Sequence, residues 1–183
     1  MQPTLESARL RLRPYRTEDA AVVQRLAGDQ RVADAATTIP HPYPDGAAEA
    51  WIETHQSAFA TRKEMTYAVT RLEDNLLVGT VSLIDISERH ARGELGYWTG
   101  VEFWGSGYCT EAVCRLITFA NEYLGTTRVV ARCFARNPAS ARVMEKAGLC
   151  KEGHLKKHVV KNGIYEDVLL YGIVLPGRGA REA

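Results

Sequence analysis

The chain has 183 residues and a formal net charge of +1, with 45% hydrophobic and 25% charged residues. This composition is ordinary for a globular protein, and the length favours one domain with a substantial core. The near-neutral charge gives no support for general nucleic-acid binding, and no apolar run approaches the ~18–20 residues that span a bilayer.

The N-terminus and the cysteines indicate the compartment. Residues 1–6 contain no basic stretch followed by an apolar core, so we predict no signal peptide. The cysteines lie in apolar contexts and match no zinc-site spacing. They are Cys109, Cys114, Cys133 and Cys150. We therefore expect reduced thiols, no metal and a cytoplasmic protein.

The first part of the chain predicts one strand and two helices. Residues 9–13 alternate charged and apolar side chains, as a half-exposed strand does. Thr17 is a candidate N-cap for a helix that ends at Gly28, and Asp45 is a candidate N-cap for a second helix. Prolines and a glycine place a loop over residues 34–46, which either covers a substrate pocket or connects two helices.

Three strands are predicted in succession, over residues 65–71, 76–85 and 93–99. Gly96, inside the third strand, indicates a bulge or a close approach of another backbone. A glycine-rich loop and a helix follow, and a further strand is predicted over residues 128–136.

The last part of the chain predicts a short helix and a hairpin. Asn137 and Pro138 are typical of an N-cap and a first helical residue, and Gly148 ends that helix. Strands over residues 149–160 and 165–174 are joined by the turn Lys161-Asn162-Gly163. The residues after Pro176 are expected to be frayed.

This order of elements predicts an α/β (α+β mixed) domain over residues 8–176, followed by a flexible tail over residues 177–183. Three strands run as a meander and two crossings pass through helices. We expect a central, mixed and mostly antiparallel seven-stranded sheet with helices on both faces.

The glycine-rich loop contains Gly105 and Gly107, directly before an amphipathic helix. The apolar face of that helix consists of Val113, Leu116, Ile117, Ala120 and Leu124. Free N–H groups at a helix N-terminus, the helix dipole and the absence of Cβ atoms together favour phosphate binding. The alternative is a tight turn before a packed helix. A P-loop lysine is absent, and Thr110 stands where a dinucleotide fingerprint needs a third glycine.

The order of elements and seven short segments resemble the GCN5-related N-acetyltransferase (GNAT) family. Within it, the chain looks like the RimJ/RimL-type ribosomal-protein N-terminal acetyltransferases. The segments are residues 9–13, 94–98, 104–112, 137–140, 146–149, 152–153 and 165–168. Two residues depart from the family pattern, because Ser106 replaces a basic or amide residue and Cys109 replaces Gly or Ala. The first change predicts a lower affinity for the cofactor.

The resemblance implies acetyl-CoA as the acetyl donor, direct attack by an amine in a ternary complex, and no metal. It places the pyrophosphate on the N–H groups of residues 105–110 and the pantetheine arm beside Tyr97-Trp98-Thr99. It also implies that a backbone N–H near Trp98 stabilises the thioester oxygen. The implied cofactor-binding residues are Tyr97, Trp98, Thr99, Trp104, Gly105, Ser106, Gly107, Tyr108, Cys109, Thr110, Asn137 and Ser140.

Two side chains are candidates for catalytic roles. By resemblance, Ser140 donates a proton to the CoA thiolate and Asn137 contacts pantetheine. The alternative is local, with Asn137 as a plain N-cap and Ser140 as a solvated serine. Glu94 is the candidate base, directly or through water, and the alternative is a surface carboxylate paired with a neighbour such as Arg92.

Four other residues have less specific interpretations. Glu111 lies in a first helical turn, where a carboxylate favours the dipole, and we interpret it as structural. His154 and His158 share a face if both lie on one regular strand, but two histidines make no zinc site. His158 is a candidate to line the acceptor pocket. Tyr108 either packs over the cofactor or caps the core.

The acceptor stays open between a peptide N-terminus, an aminoglycoside-type amine and a polyamine. We expect no nucleic-acid or membrane partner, and either a monomer or a homodimer. The alternative function is a non-catalytic acyl-CoA-binding sensor or interaction module on the same fold. Such a protein would keep the glycine loop without needing Glu94 or Ser140.

Overall fold

The computed structural model describes residues 2–177, which contain eight β-strands and five α-helices. The strands are β1 (Leu5–Glu6), β2 (Leu10–Arg13), β3 (Met65–Arg71), β4 (Leu77–Ser87), β5 (Arg92–Thr99), β6 (Arg128–Phe134), β7 (Cys150–Lys161) and β8 (Ile164–Val174). The helices are α1 (Ala20–Ala27), α2 (Gln30–Ala35), α3 (Ala47–Ala60), α4 (Tyr108–Phe119) and α5 (Pro138–Lys146). Helix α4 continues into a π-helical turn over Ala120–Leu124.

All strands belong to one sheet, in the order β1-β2-β3-β4-β5-β6-β8-β7. Only the β5–β6 pair is parallel among the described strands, so the predicted mixed and mostly antiparallel sheet is confirmed. The predicted number of seven strands is one too few, because β1 has only two residues and gives no periodic signal. Leu5 pairs with Leu12 and is 4% exposed, so the sheet begins before residue 8.

Helices cover both faces of the sheet, as predicted. Tyr97 and Trp98 are neighbours on β5 and point to opposite faces, because side chains alternate along a strand. The Tyr97 hydroxyl reaches α5, whereas Trp98 packs against the apolar cluster of α1 and α3. Val113 and Leu116 of α4 are fully buried in the larger core. Burial of each such side chain stabilises the folded state by roughly 1.5–3 kcal/mol.

The region before β3 differs from the prediction. The sequence pattern missed α2, a six-residue helix whose N-cap Asp29 accepts a hydrogen bond from the Arg31 N–H. Gly46, not Asp45, is the N-cap of α3, and its left-handed backbone favours glycine there. Thr17 begins a short 3-10 turn instead of capping α1.

Local chain geometry elsewhere follows the sequence more closely. Asn162 and Gly163 both have positive φ, as the predicted β7–β8 hairpin turn requires. The β4–β5 irregularity lies between Ile84 and Ser87, so Gly96 is not a bulge. Beyond Gly177, the predicted flexible tail lies outside the described residues. In the described part of the chain, no helix is long and apolar enough to cross a membrane.

Candidate active site

The glycine loop joins β5 to α4 with two left-handed residues. Gly105 has φ +78° and Gly107, the N-cap of α4, has φ +80°. This conformation disfavours side chains, and a Cβ on Gly105 would meet no atom within 4 Å. The backbone here is therefore bare and accessible, as the approach of a phosphate requires.

Several N–H groups of this loop are available for an anion. Within residues 2–177, no backbone acceptor is found for the N–H groups of Gly105, Gly107, Tyr108, Cys109 and Thr110. The first backbone bond of α4 runs from Glu111 N to Gly107 O, at 3.1 Å. The Ser106 N–H differs from the prediction, because it donates to Phe103 O at 3.4 Å. Thus five of the six predicted donors have no backbone partner within residues 2–177.

Arg9, from the segment before β2, holds this loop in place. Its backbone N and its Nε donate to the two carboxylate oxygens of Glu111, each at 2.8 Å. Its Nη1 donates to Ser106 O at 3.1 Å, and its guanidinium lies 4.8 Å from the centre of the Tyr108 ring. Sequence reasoning gave Arg9 only as part of a strand pattern. The side chain is half-exposed, so it also adds positive charge beside the cradle.

Glu111 is structural, as the sequence indicated, but its main partners are specific side chains. Ser7 Oγ donates to the same carboxylate at 2.8 Å. Burial raises the pKa of Glu111, but the hydrogen bonds from Ser7 and Arg9 outweigh it and lower the pKa below its usual value. Tyr108 packs under the Arg9 guanidinium at the same place.

The edge of β5 opens directly below the glycine loop. β5 and β6 pair only from Arg92–Arg128 to Leu95–Ala131, so residues 96–99 have no partner on the β6 side. The gap between β5 and β6 at this point forms a slot beside Tyr97-Trp98-Thr99, where the resemblance places the pantetheine arm. The unpaired backbone can bond to the amides of an extended ligand arm, in the manner of an added strand.

Backbone alternation decides which groups face this slot. A Cβ built on Gly79 of β4 would lie 2.2 Å from Trp98 O, so that carbonyl points toward β4. Gly100 N also bonds β4, at Val78 O. Because backbone groups alternate along a strand, those of Tyr97 and Thr99 face the slot. The candidates for the expected donor near Trp98 are therefore the backbone N–H groups of its two neighbours, Tyr97 and Thr99. Thr99 O already accepts from Trp104 Nε1 at 2.9 Å.

Strand β5 forms one wall of the slot, and helix α5 forms the other. Asn137 Oδ1 accepts from Ser140 N at 3.0 Å, so Asn137 is the N-cap that the sequence predicted. The Ser140 hydroxyl is not simply solvated, because Tyr97 Oη lies 2.8 Å from Ser140 Oγ. Both side chains lie on the α5 face of β5.

Glu94 lies at the base of the slot, on the opposite face from Ser140. Both of its carboxylate oxygens accept from one guanidinium, at 2.8 Å from Arg132 Nε and 2.6 Å from Nη2. The partner is therefore Arg132, not the predicted Arg92. Arg132 is the first residue of β6 after the last β5–β6 pair, and the Glu94 side chain is 14% exposed.

The remaining candidates have structural surroundings. His154 Nε2 lies 2.8 Å from Asp167 Oδ2. A register shift between Leu155 and Val159 breaks the strand alternation, so His154 and the exposed His158 need not share a face. No cluster of three or more metal-binding side chains occurs within residues 2–177. The four cysteines are free thiols, and burial raises the pKa of Cys109 to about 12, which makes it a poor nucleophile.

Comparison with known proteins identifies the family of the chain. Residues 9–149 match the acetyltransferase (GNAT) domain family. The chain therefore belongs to the GNAT family and is an N-acetyltransferase, as the resemblance implied.

Individual relatives support the same assignment. The chain is 28% identical to the uncharacterized N-acetyltransferase YoaA of Bacillus subtilis, over 96% of this chain and 99% of YoaA. It is 35% identical to the probable N-acetyltransferase YjcK of the same organism, over 68% of this chain and 70% of YjcK. A solved structure of RimL, a ribosomal L7/L12 α-N-protein acetyltransferase in complex with coenzyme A, has a TM-score of 0.86. Its 20% identity, over 94% of this chain and 98% of RimL, supports the fold alone.

Two relatives with named acceptors match at similar levels. The ribosomal-protein-serine acetyltransferase of Escherichia coli is 30% identical over 56% of this chain and 58% of its own. The spermidine N(1)-acetyltransferase of Vibrio cholerae is 28% identical over 57% of this chain and 60% of its own. Sequence similarity therefore does not separate the two acceptor classes.

Proposed function

We propose that the acetyl donor is acetyl-CoA and that an amine attacks it directly in a ternary complex. The observation that supports this most is the unpaired edge of β5 over residues 96–99. It begins below a bare glycine loop, and Glu94 and Ser140 lie on its two faces. The donor and the acceptor can thus reach the same point from opposite sides of the sheet.

The glycine loop fits the pyrophosphate of acetyl-CoA. The N–H groups without backbone partners supply hydrogen bonds, and Gly107 leaves room for a phosphate oxygen at the N-terminus of α4. Arg9 keeps the loop in this shape. The pantetheine arm lies along Tyr97 and Thr99, whose backbone groups face the slot, and Asn137 contacts it from α5. When bound, acetyl-CoA supplies the activated acetyl thioester.

The chemistry needs a proton acceptor and a stabiliser of negative charge. Glu94, directly or through water, takes a proton from the amine, and its ion pair with Arg132 holds the carboxylate in position. A backbone N–H of Tyr97 or Thr99 stabilises the thioester oxygen as it gains charge. Ser140 contacts the leaving sulfur from the other face.

We propose the N-terminal amine of a protein or peptide as the acceptor, as in RimJ/RimL-type enzymes. A polyamine carries several ammonium groups and is bound best by carboxylates without cationic partners. We assign the acceptor to the face of the sheet that carries Glu94. On this face, however, Glu94 is bound to Arg132 and Glu166 to Arg136. Arg136 also donates to Asp34 O of α2 at 3.0 Å, which fixes it on this face. The paired charges favour an acceptor with a single amine.

A turnover assay with thiol-release detection tests the proposed function. The acceptors are short peptides with free N-termini, the same peptides with acetylated N-termini, spermidine and an aminoglycoside. We expect release with the free peptides and none with their blocked forms. A higher kcat/KM for spermidine than for the free peptides would assign the acceptor to the polyamines instead. Acetyl-CoA binding without turnover on any amine would favour the non-catalytic binder.

Two further proposals concern the extent of the catalytic domain and the cellular compartment. We propose that residues 8–176 act as one catalytic domain together with β1, and that the protein works in the cytoplasm. Free thiols at Cys109, Cys114, Cys133 and Cys150 suit a reducing compartment.

A further inference from the structure

The side chain of Tyr97 joins the two walls of the slot. Tyr97 Oη lies 2.8 Å from Ser140 Oγ and 3.1 Å from Ser140 O. Tyr97 belongs to the unpaired part of β5, and Ser140 belongs to the first turn of α5. The Asn137 cap holds the Ser140 backbone, so rotation of the Ser140 hydroxyl is the main remaining freedom.

Counting protons gives two arrangements for this contact. The phenol of Tyr97 has one proton, and the Ser140 carbonyl can only accept. If Tyr97 donates to the carbonyl, the Ser140 proton points at Tyr97 Oη and away from the slot. If Tyr97 donates to Ser140 Oγ, the Ser140 proton can point into the slot or toward the Cys133 thiol, its other neighbour.

Negative charge on the leaving sulfur favours the second arrangement, because a hydrogen bond to an ionised acceptor is stronger than a neutral one. The donor chain from Tyr97 through Ser140 to sulfur is then also polarised in one direction. We infer that Tyr97 is a positioning residue, whose hydroxyl turns the Ser140 hydroxyl toward the sulfur of CoA. This inference rests on the proposed function.

The bond changes balance without ionising Ser140. The amine nitrogen bonds to the acetyl carbon and loses its proton on the Glu94 side. The C–S bond breaks with its electron pair on sulfur. Ser140 donates a hydrogen bond to that thiolate, which solvent later protonates.

The groups around Tyr97 stay neutral during this step. Burial raises the pKa of Tyr97 far above its ordinary value, so the phenol remains a donor at neutral pH. The nearby titratable groups are Cys109, Cys133 and Tyr171, and burial raises the pKa of each.

The test uses free CoA as the probe, because its thiol ionises and no acceptor is needed. Calorimetry on the full chain gives the Kd of CoA and of acetyl-CoA from about pH 7 to 9.5, around the ordinary pKa of a thiol near 8.5. For the parent protein we expect CoA affinity to rise about fivefold relative to acetyl-CoA over this range, because the thiolate accepts a stronger hydrogen bond.

Three variants identify the origin of that rise. In Tyr97→Phe and Ser140→Ala the rise of CoA affinity relative to acetyl-CoA is lost, and the double variant loses no more than Ser140→Ala. Tyr171→Phe is the matched control. It removes a buried hydroxyl that donates to Glu145 of α5 at 3.0 Å but does not contact Ser140, and we expect the full rise.

The outcomes separate the inference from the proposed function. A parent-like rise in Tyr97→Phe overturns the inference, and so does a parent protein that binds both ligands without any rise. Neither result affects acetyl-CoA as the donor. A parent protein that binds neither ligand at millimolar concentration overturns the proposed function, and the inference with it.

Discussion

Glu94 and Arg132 are held together by two hydrogen bonds at the point where β5 and β6 stop pairing. The ion pair therefore lies at the base of the slot, on the face of the sheet opposite Ser140. It fixes the Glu94 carboxylate while leaving lone pairs for an amine or a water molecule, since each carboxylate oxygen can accept more than one hydrogen bond.

Glu94→Gln is expected to lower turnover by about a hundredfold or more, with little change in acetyl-CoA affinity, because an amide cannot take the amine proton. Glu152→Gln is the matched control, because Glu152 is also bound to an arginine of β6, Arg128. Unchanged turnover in Glu94→Gln would place the base elsewhere.

Gly107→Glu is expected to abolish acetyl-CoA binding nearly completely, because it adds bulk and negative charge at the phosphate cradle. Gly46→Glu is the control, since Gly46 is the N-cap of α3 with nearly the same φ, +78° against +80°. The left-handed backbone costs each variant about 1–2 kcal/mol of stability. Melting temperature and affinity are measured on the same samples. Equal affinities in the two variants would contradict the cradle.

Arg9→Met is expected to weaken acetyl-CoA binding about tenfold, because the Glu111 and Ser106 contacts hold the loop and charge-assisted bonds contribute about 1.5–3 kcal/mol each. Methionine keeps the apolar stem over Tyr108. Arg11→Met, two residues away, removes an exposed arginine bound to Glu6 and Asn75 and serves as the control. Calorimetry that gives both variants the same Kd would show that loop geometry does not depend on Arg9.

His55 is expected to make stability depend on pH in mildly acidic solution. It is 6% exposed, and burial lowers its pKa to about 4. Between about pH 6.5 and 4 the unfolded chain binds a proton at His55 that the folded chain excludes, so stability falls as the pH falls through this window. The loss is at most about 3–4 kcal/mol.

Chemical denaturation at several pH values measures this effect. His55→Phe is expected to flatten the dependence, since an aromatic ring suits the contacts with Tyr15 and Trp51. His90→Gln, at an exposed loop residue, is the control and is expected to keep it. The same pH dependence in His55→Phe and the parent would assign it to other groups.

The sequence predicted what depends on local patterns. The apolar face of α4, including Val113 and Leu116, follows from helical periodicity, and the bare backbone at Gly105 follows from residue type. The Asn137 cap also depends on residues that are close in sequence. Each of these features depends only on residues that are close in sequence, so a short stretch of sequence is enough to predict it.

Pairings across the fold left no such signal. Arg92 is two residues from Glu94, yet the parallel register of β5 and β6 brings Arg132 to that carboxylate instead. The Ser140 contact with Tyr97 depends on the packing of α5 against α4 and β6. Strand β1 is too short for a periodic pattern, and its existence depends on pairing with β2.

Arg9 and Glu111 are separated by 102 positions in the chain. Contacts of such separation close late during folding, since the intervening chain must first lose its freedom. A chain that began after β2 would still contain both glycines and α4, but it would lack the guanidinium that shapes the loop. Under the proposed function, acetyl-CoA affinity therefore reports whether the first strands have docked, and bound acetyl-CoA in turn stabilises the docked strands.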